Sequence, residues 1–559
     1  MSLRMLRSPM PLLAKELTEQ AARKRTYVLR VIYAALLFLI FAMMMVERLR
    51  WAGRDPYAVL GCGGHLFQVL VVLQFTGIFI FLPGMMSSVI TSEKERDSLA
   101  LLLLTDLGPW EILLQKYLGR LIPMFTFLLL SLPLLATAYA FGGITRDDIT
   151  SSVYLLFLCA LQVGALSVAI SAWSRTTTGA FLGSYLMGGA FYLIAPLAVF
   201  LVAISTHNFR GAEEAWENSW VLFPPYLLFG TRPLTFEAVL GRSIPILVSI
   251  GVFLILARTF IRRRAFLAPK NRLLSIFRRQ DRFWHRLNRF VGGVVLVREK
   301  QQLPGDDPVQ WRELTKRPLG QFSHLIRLIL IIEIPLVMLA SIMLVTAEHG
   351  SRSEEMSVIL MFLWGIAALV VTVKSAGALS GERTQQTLEI LLTTPLASAD
   401  IVKQKMSGSR RMILVMLVPF LTVFALQAWI SRGMRLSPYY GYGYRYREEL
   451  GPLSYLVFST ATVLVYLFLF GWFANWIALR SRTRARAIVG TLIGLVLWLF
   501  LPIFAVGLVA VFTDTNPSRG LSWLMLLSPM FIVPVLEFGS AGIFRFGGED
   551  VPTMVPAMV

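Results

Sequence analysis

The chain has 559 residues, 56% of them hydrophobic and only 15% charged, with a formal net charge of +20 and a pI of about 10.2. A water-soluble domain carries nearer a quarter of charged residues, so composition excludes a soluble enzyme or binding module. The basic balance does not call for a nucleic-acid partner, because Lys and Arg of integral membrane proteins collect in cytoplasmic loops.

Apolar runs of about 20 residues cross a roughly 30 Å hydrocarbon core as helices. They are predicted at 28–46, 66–90, 118–141, 153–173, 179–204 and 244–257, and again at 324–345, 358–379, 412–430, 453–478 and 488–512. A β-barrel would show short alternating segments instead. The fold class is therefore an all-α polytopic membrane protein. The basic segments 4–30, 93–120, 258–317, 383–411 and 480–486 fall on one side if the N-terminus is cytoplasmic. The loop 431–449 carries four Arg and is placed outside by its flanking spans. The stretch 259–307 reads as a basic cytoplasmic linker, and Leu273 to Phe290 within it as an amphipathic helix on an anionic surface.

A motif occurs twice, each time at the end of an apolar run. The first copy is Glu93-Lys94, Ser98-Leu99, then Glu111-Ile112 and Gln115-Lys116. The second is Glu382-Arg383, Thr387-Leu388, then Asp400-Ile401 and Gln404-Lys405, at a constant offset of 289 positions. Ser92 with Glu95, and Ser380 or Thr384 in the second copy, are expected to cap a helix here. Leu99, Leu102 and Leu103, and again Leu388, Leu391 and Leu392, form a stripe expected to pack on the membrane face. The segment Pro11 to Thr18 matches Pro308 to Thr315, and Gly183 matches Gly490. These landmarks divide the chain into a first half (1–258, six spans), the linker, and a second half (308–559, five spans), related as parallel repeats. The count is about eleven spans, with the twelfth, after Pro529, expected to be either absent or truncated.

The pattern Glu-(Lys/Arg)-x-x-x-(Ser/Thr)-Leu-x-x-Leu-Leu-x-Thr, followed by (Glu/Asp)-Ile and Lys, resembles the permeases of ABC-2 type transporters. The segment Pro-x-x-x-(Lys/Arg)-Glu-Leu before it resembles the elbow helix that opens those permeases. The resemblance implies two six-helix permease bundles fused in one chain. It further implies a cytoplasmic helical hairpin after the second span of each half, contacting ATP-binding subunits, two copies in all. On this resemblance Glu93, Lys94, Ser98, Leu99, Glu111 and Lys116 form one coupling surface, and Glu382, Arg383, Thr387, Leu388, Asp400 and Lys405 the other. Leu388-Glu389 and Thr394-Pro395 keep the family pattern, whereas the first copy reads Leu99-Ala100 and Thr105-Asp106. ATP and magnesium are expected on the partner. This chain has no G-x-x-x-x-G-K-[ST] to cradle phosphates, and no cofactor of its own is expected. The chain is thus expected to be a transport subunit in the cell membrane, in bacteria the inner membrane, and not an enzyme.

Two intramembrane charges stand apart. Glu333 lies near the middle of its predicted span, and Lys374, near the inner end of the next, is placed to snorkel or to pair with it. They keep an ion-coupled secondary transporter open as the alternative; a membrane scaffold is the third reading. The five histidines, and Cys62 with Cys159, show no metal-ligand spacing.

Overall fold

The computed structural model describes residues 10–22, 24–52, 61–96, 98–206, 213–230, 235–264, 307–313, 322–346, 352–384, 386–435, 452–481, 483–513 and 527–529. Among these residues there is no strand. Among the described residues nine helices are long and apolar enough to cross a bilayer: Gly63–Glu95, Pro109–Ala140, Arg146–Trp173, Thr177–Val199, Phe236–Arg263, Ile359–Arg383, Ser398–Trp429, Leu453–Arg480 and Arg484–Val506. Two more helices, Lys24–Ala52 and Phe322–Thr346, cover the first span predicted in each half. The linker helix at 273–290, most of the loop 431–449 and the region after Pro529 lie outside the described residues; Ser431 to Arg435 continue a helix.

The chain forms two compact units, one holding residues 1–268 and the other most of 269–559. The first contains α1 (Pro11–Ala21), α2 (Lys24–Ala52), α3 (Gly63–Met86), α4 (Ser88–Glu95), α5 (Leu99–Leu103), α6 (Pro109–Leu130), α7 (Leu132–Ala140), α8 (Arg146–Trp173), α9 (Thr177–Thr206), α10 (Glu213–Ser219), α11 (Pro224–Phe229), α12 (Phe236–Arg242) and α13 (Ile244–Arg264). Helix α8 is its axis, with α3, α6, α9, α11 and α13 packed around it. Small residues make this possible: a Cβ on Gly164 would press on Tyr117 and Met86, and Ala160, Ala165 and Ala172 are fully buried. Helix α8 starts sharply because Thr145 accepts the Asp148 amide at 3.2 Å and Asp148 accepts the Thr145 amide at 2.9 Å. Half-way along it, buried Gln162 donates to the Leu222 carbonyl (3.2 Å) and to Ser249 (2.9 Å) and accepts from Tyr192 (2.9 Å). That polar tie joins α8, α9, α13 and the segment between α10 and α11. Helices α3 and α4 meet at Ser87, whose hydroxyl turns back to the Gly84 carbonyl at 2.9 Å, four residues after Pro83.

The second unit contains α14 (Pro308–Trp311), α15 (Phe322–Thr346), α16 (Arg352–Thr384), α17 (Leu388–Leu392), α18 (Ser398–Lys405), α19 (Ser407–Arg435), α20 (Pro452–Arg480) and α21 (Arg484–Thr513). Helices α16, α19 and α20 pack on one another, and α15 packs on α19. Their core is aromatic, with Trp364 edge-on to Phe420 at 5.3 Å and Phe424 beside it at 6.0 Å. The glycines of the G-x-x-x-G spans lie at close approaches. A Cβ on Gly183 would press on Ile170 of α8, and one on Gly494 would run into Phe473 of α20.

Candidate functional site: two junctions at the span ends

Each copy of the motif builds a small junction in which a short helix before the bundle, the end of a long apolar helix, and the following hairpin are bonded together. In the first unit these are α1, α4 and α5–α6. In the second they are α14, α16 and α17–α18.

The acidic residue of each motif is the hub. Glu93 accepts Lys116 Nζ at 2.8 Å and the Ser98 hydroxyl, and its carbonyl accepts the Ser98 amide at 2.9 Å. Glu382 accepts Lys405 Nζ at 2.5 Å, Arg312 at 2.6 Å and the Thr387 hydroxyl, and its carbonyl accepts the Thr387 amide at 3.0 Å. The Ser98 and Thr387 hydroxyls therefore close the loop onto the preceding helix. They stand just before the first residue of α5 and α17, at the N-cap position, but their side chains do not cap those helices. The expected caps are not formed, because Ser92 lies inside α4 and Ser380 and Thr384 inside α16. Glu95 instead accepts the Thr177 amide (2.8 Å) and hydroxyl (3.0 Å) at the start of α9.

The basic neighbour faces the other way. Lys94 donates to carbonyls at the end of α8, those of Ala172 and of Ser174 (3.0 Å). Arg383 donates to Leu479 and Ser481 at the end of α20, at 3.0 and 2.9 Å. A cation at unsatisfied C-terminal carbonyls is favourable both as a donor and against the helix dipole.

The glutamine of each hairpin holds the short helix. Gln115 Oε1 accepts the Leu12 amide at 2.9 Å, and Gln404 Oε1 accepts the Val309 amide at 3.1 Å, so each caps a helix N-terminus from a distance in sequence. Sequence reasoning placed both glutamines in the motif but did not foresee this; their fixed spacing before Lys116 and Lys405 was the available signal. Arg312 and Glu313 were likewise missed as members of the network.

The predicted residues thus separate by burial. Lys116, Glu382, Lys405 and Leu99 are buried, whereas Glu111 and Asp400 lie exposed in the first turns of their helices, where Glu111 accepts the Gly108 amide at 3.1 Å. Leu388 is half-buried. The predicted leucine stripe is only partly inside. Leu391 packs with Val309 and Ile401, whereas Leu101 and Ile390, equivalent by the 289-residue offset, are each 67% exposed, as are Leu104 (76%) and Leu392 (58%). Each junction therefore presents an apolar tip on a charged, internally bonded base.

Elsewhere, Glu333 on α15 has both carboxyl oxygens buried without a hydrogen-bond partner, so of the two roles expected of Lys374, pairing with Glu333 is not the one made. No curated protein matches the chain. Residues 290–538 match the family model described as ABC-2 family transporter protein. This multi-pass membrane protein, helical throughout its described residues outside turns and loops, therefore carries a region that matches the ABC-2 family transporter model over residues 290–538.

Proposed function

We propose that the chain is the permease subunit of an ATP-driven exporter, and that α5 and α17 are the places where two cytoplasmic ATP-binding subunits dock. The observation that carries this reading is the recurrence of one bonded base with an exposed apolar tip at both junctions. An isolated tip of large apolar residues beside charged ones is a protein-contact feature when it lies outside the bilayer. The recurrence also supports two related permease halves.

In this reading ATP and magnesium are bound by the partner subunits, whose closure pushes α5 and α17. The push passes through Glu93–Lys116 and Glu382–Lys405 to the span ends, and through Lys94 and Arg383 to α8 and α20. The N-terminus and both junctions are cytoplasmic, in keeping with the basic segments, and the protein sits in the cell membrane. Export as the direction rests on family analogy.

The test is affinity purification of the chain with its ATPase, using Leu101→Asp, Ile390→Asp and the double variant. The tips touch little of the fold, so the variants keep their unfolding temperature while the ATPase is lost stepwise. Full ATPase recovery with the double variant sinks the docking assignment. The buried carboxyl oxygens of Glu333 favour a second reading, ion-coupled transport. It requires that Glu333→Gln abolish gradient-driven uptake in vesicles lacking ATP.

A further inference from the structure

The two junctions draw on the same charges and are closed to different degrees. In the second, Lys405 bridges Glu313 at 2.6 Å and Glu382 at 2.5 Å, and all three side chains are at most 6% exposed. Arg312 adds a further pair to Glu382, so one network ties the residues after α14, the end of α16 and the end of α18 into a block. In the first, Lys116 reaches Glu93 alone. Glu16, which holds the α1 position equivalent to Glu313, has its Oε2 buried with no partner. That oxygen lies against Gly119 of α6, where a Cβ would collide with it. The next residue is Arg120, whose Nε is also buried and without a partner. A buried acceptor thus lies against Gly119, a buried donor of opposite charge belongs to the next residue, and the two are not bonded to each other. Such groups are costly to leave unmet, and joining them relieves both. Helix α1 is held to α6 by the Leu12 and Leu13 amides, which donate to Gln115 Oε1, and by the Gln20 side-chain amide, which donates to the Gly119 carbonyl (3.1 Å).

We propose that the first junction is a latch seen open, and the second a lock that stays closed. The latch closes when the Glu16 and Arg120 side chains turn to each other and the carboxylate takes up the guanidinium, while Lys116 stays on Glu93. The first docking segment then has two degrees of fastening, and the second has one. What this means for coupling rests on the docking role proposed above; the latch itself does not. Glu16 and Arg120 act as positioning residues.

Hydrogen exchange by mass spectrometry on the full chain in lipid nanodiscs, without any ATPase, tests it. Glu313→Gln is expected to raise exchange over 388–405 by about tenfold or more, whereas Glu16→Gln leaves 99–116 within about twofold of wild type. Arg120→Glu is expected to speed exchange over 11–21 by about tenfold, and adding Glu16→Arg to restore it. If Glu313→Gln does not fold, Thr387→Val replaces it as the milder cut of the same network. Equal effects of the Glu16 and Glu313 changes, or no effect of Arg120→Glu on 11–21, overturn the latch. Because no ATPase is present, failure of docking leaves this result untouched.

Discussion

The base and the tip of each junction follow opposite rules, although they are neighbours in sequence. The base is charged and buried: the Lys405 side chain is 1% exposed between Glu313 and Glu382. The tip is apolar and open: Ile390 is 67% exposed only eight residues beyond Glu382. On a soluble protein the charges would face water and the isoleucine would be inside. The inversion indicates that the charged residues fasten the junction to the bundle, and that the apolar residues are free to meet something else.

The comparison breaks most visibly at Lys405. Lys405→Met leaves two buried carboxylates without their shared cation, and loss of one partner of a buried pair costs about 3–5 kcal/mol. Thermal unfolding in detergent should show a large drop. Lys116→Met should cost less, about 1–3 kcal/mol, because it strands one carboxylate whose side chain is 24% exposed. A stability loss at Lys116 equal to that at Lys405 would erase the difference between the two bases.

A smaller effect sharpens the loop between base and tip. Gln386, just before α17, has φ 57, a left-handed conformation that costs a side-chain-bearing residue about 1–2 kcal/mol. Gln386→Gly should therefore stabilise the second unit by a few tenths to about 1 kcal/mol. The tips come last on this scale. Leu101→Asp and Ile390→Asp replace side chains that already face outward and should shift folding by less than about 0.5 kcal/mol. A large loss of stability from either would mean that the tip belongs to the core.

Much of this architecture was legible in the residues, for a physical reason. Span positions follow from apolar length, which the bilayer enforces locally, so the runs at 66–90 and 153–173 lie within helices Gly63–Glu95 and Arg146–Trp173. The motif was legible as a pattern but not as a geometry. Ser92 and Glu95 carry a capping-box spacing, yet the helix from the span runs through Ser92, and Glu95 caps α9 more than 80 residues away. Long-range caps such as Gln115 on Leu12 leave no local signature. Nor could the leucine stripe reveal which of its members face out. The five-residue helices α5 and α17 bury Leu99 and Leu391 and expose Leu101 and Ile390, and Leu391 is inside because Val309 of α14 and Ile401 of α18 pack on it. The pairing expected between Glu333 and Lys374 failed because proximity in depth says nothing about the faces on which two helices meet.

The most direct measurement is site-directed photocrosslinking in native membranes. A photoreactive amino acid replaces Leu101 or Ile390 at the tips, or Ile255 on the exposed face of α13, which is 53% exposed and serves as control. The expected result is a cross-link to an ATP-binding subunit from positions 101 and 390 and none from 255. An ATP-binding subunit that co-purifies with the chain but cross-links from neither tip would contradict the assignment of α5 and α17 as its docking sites.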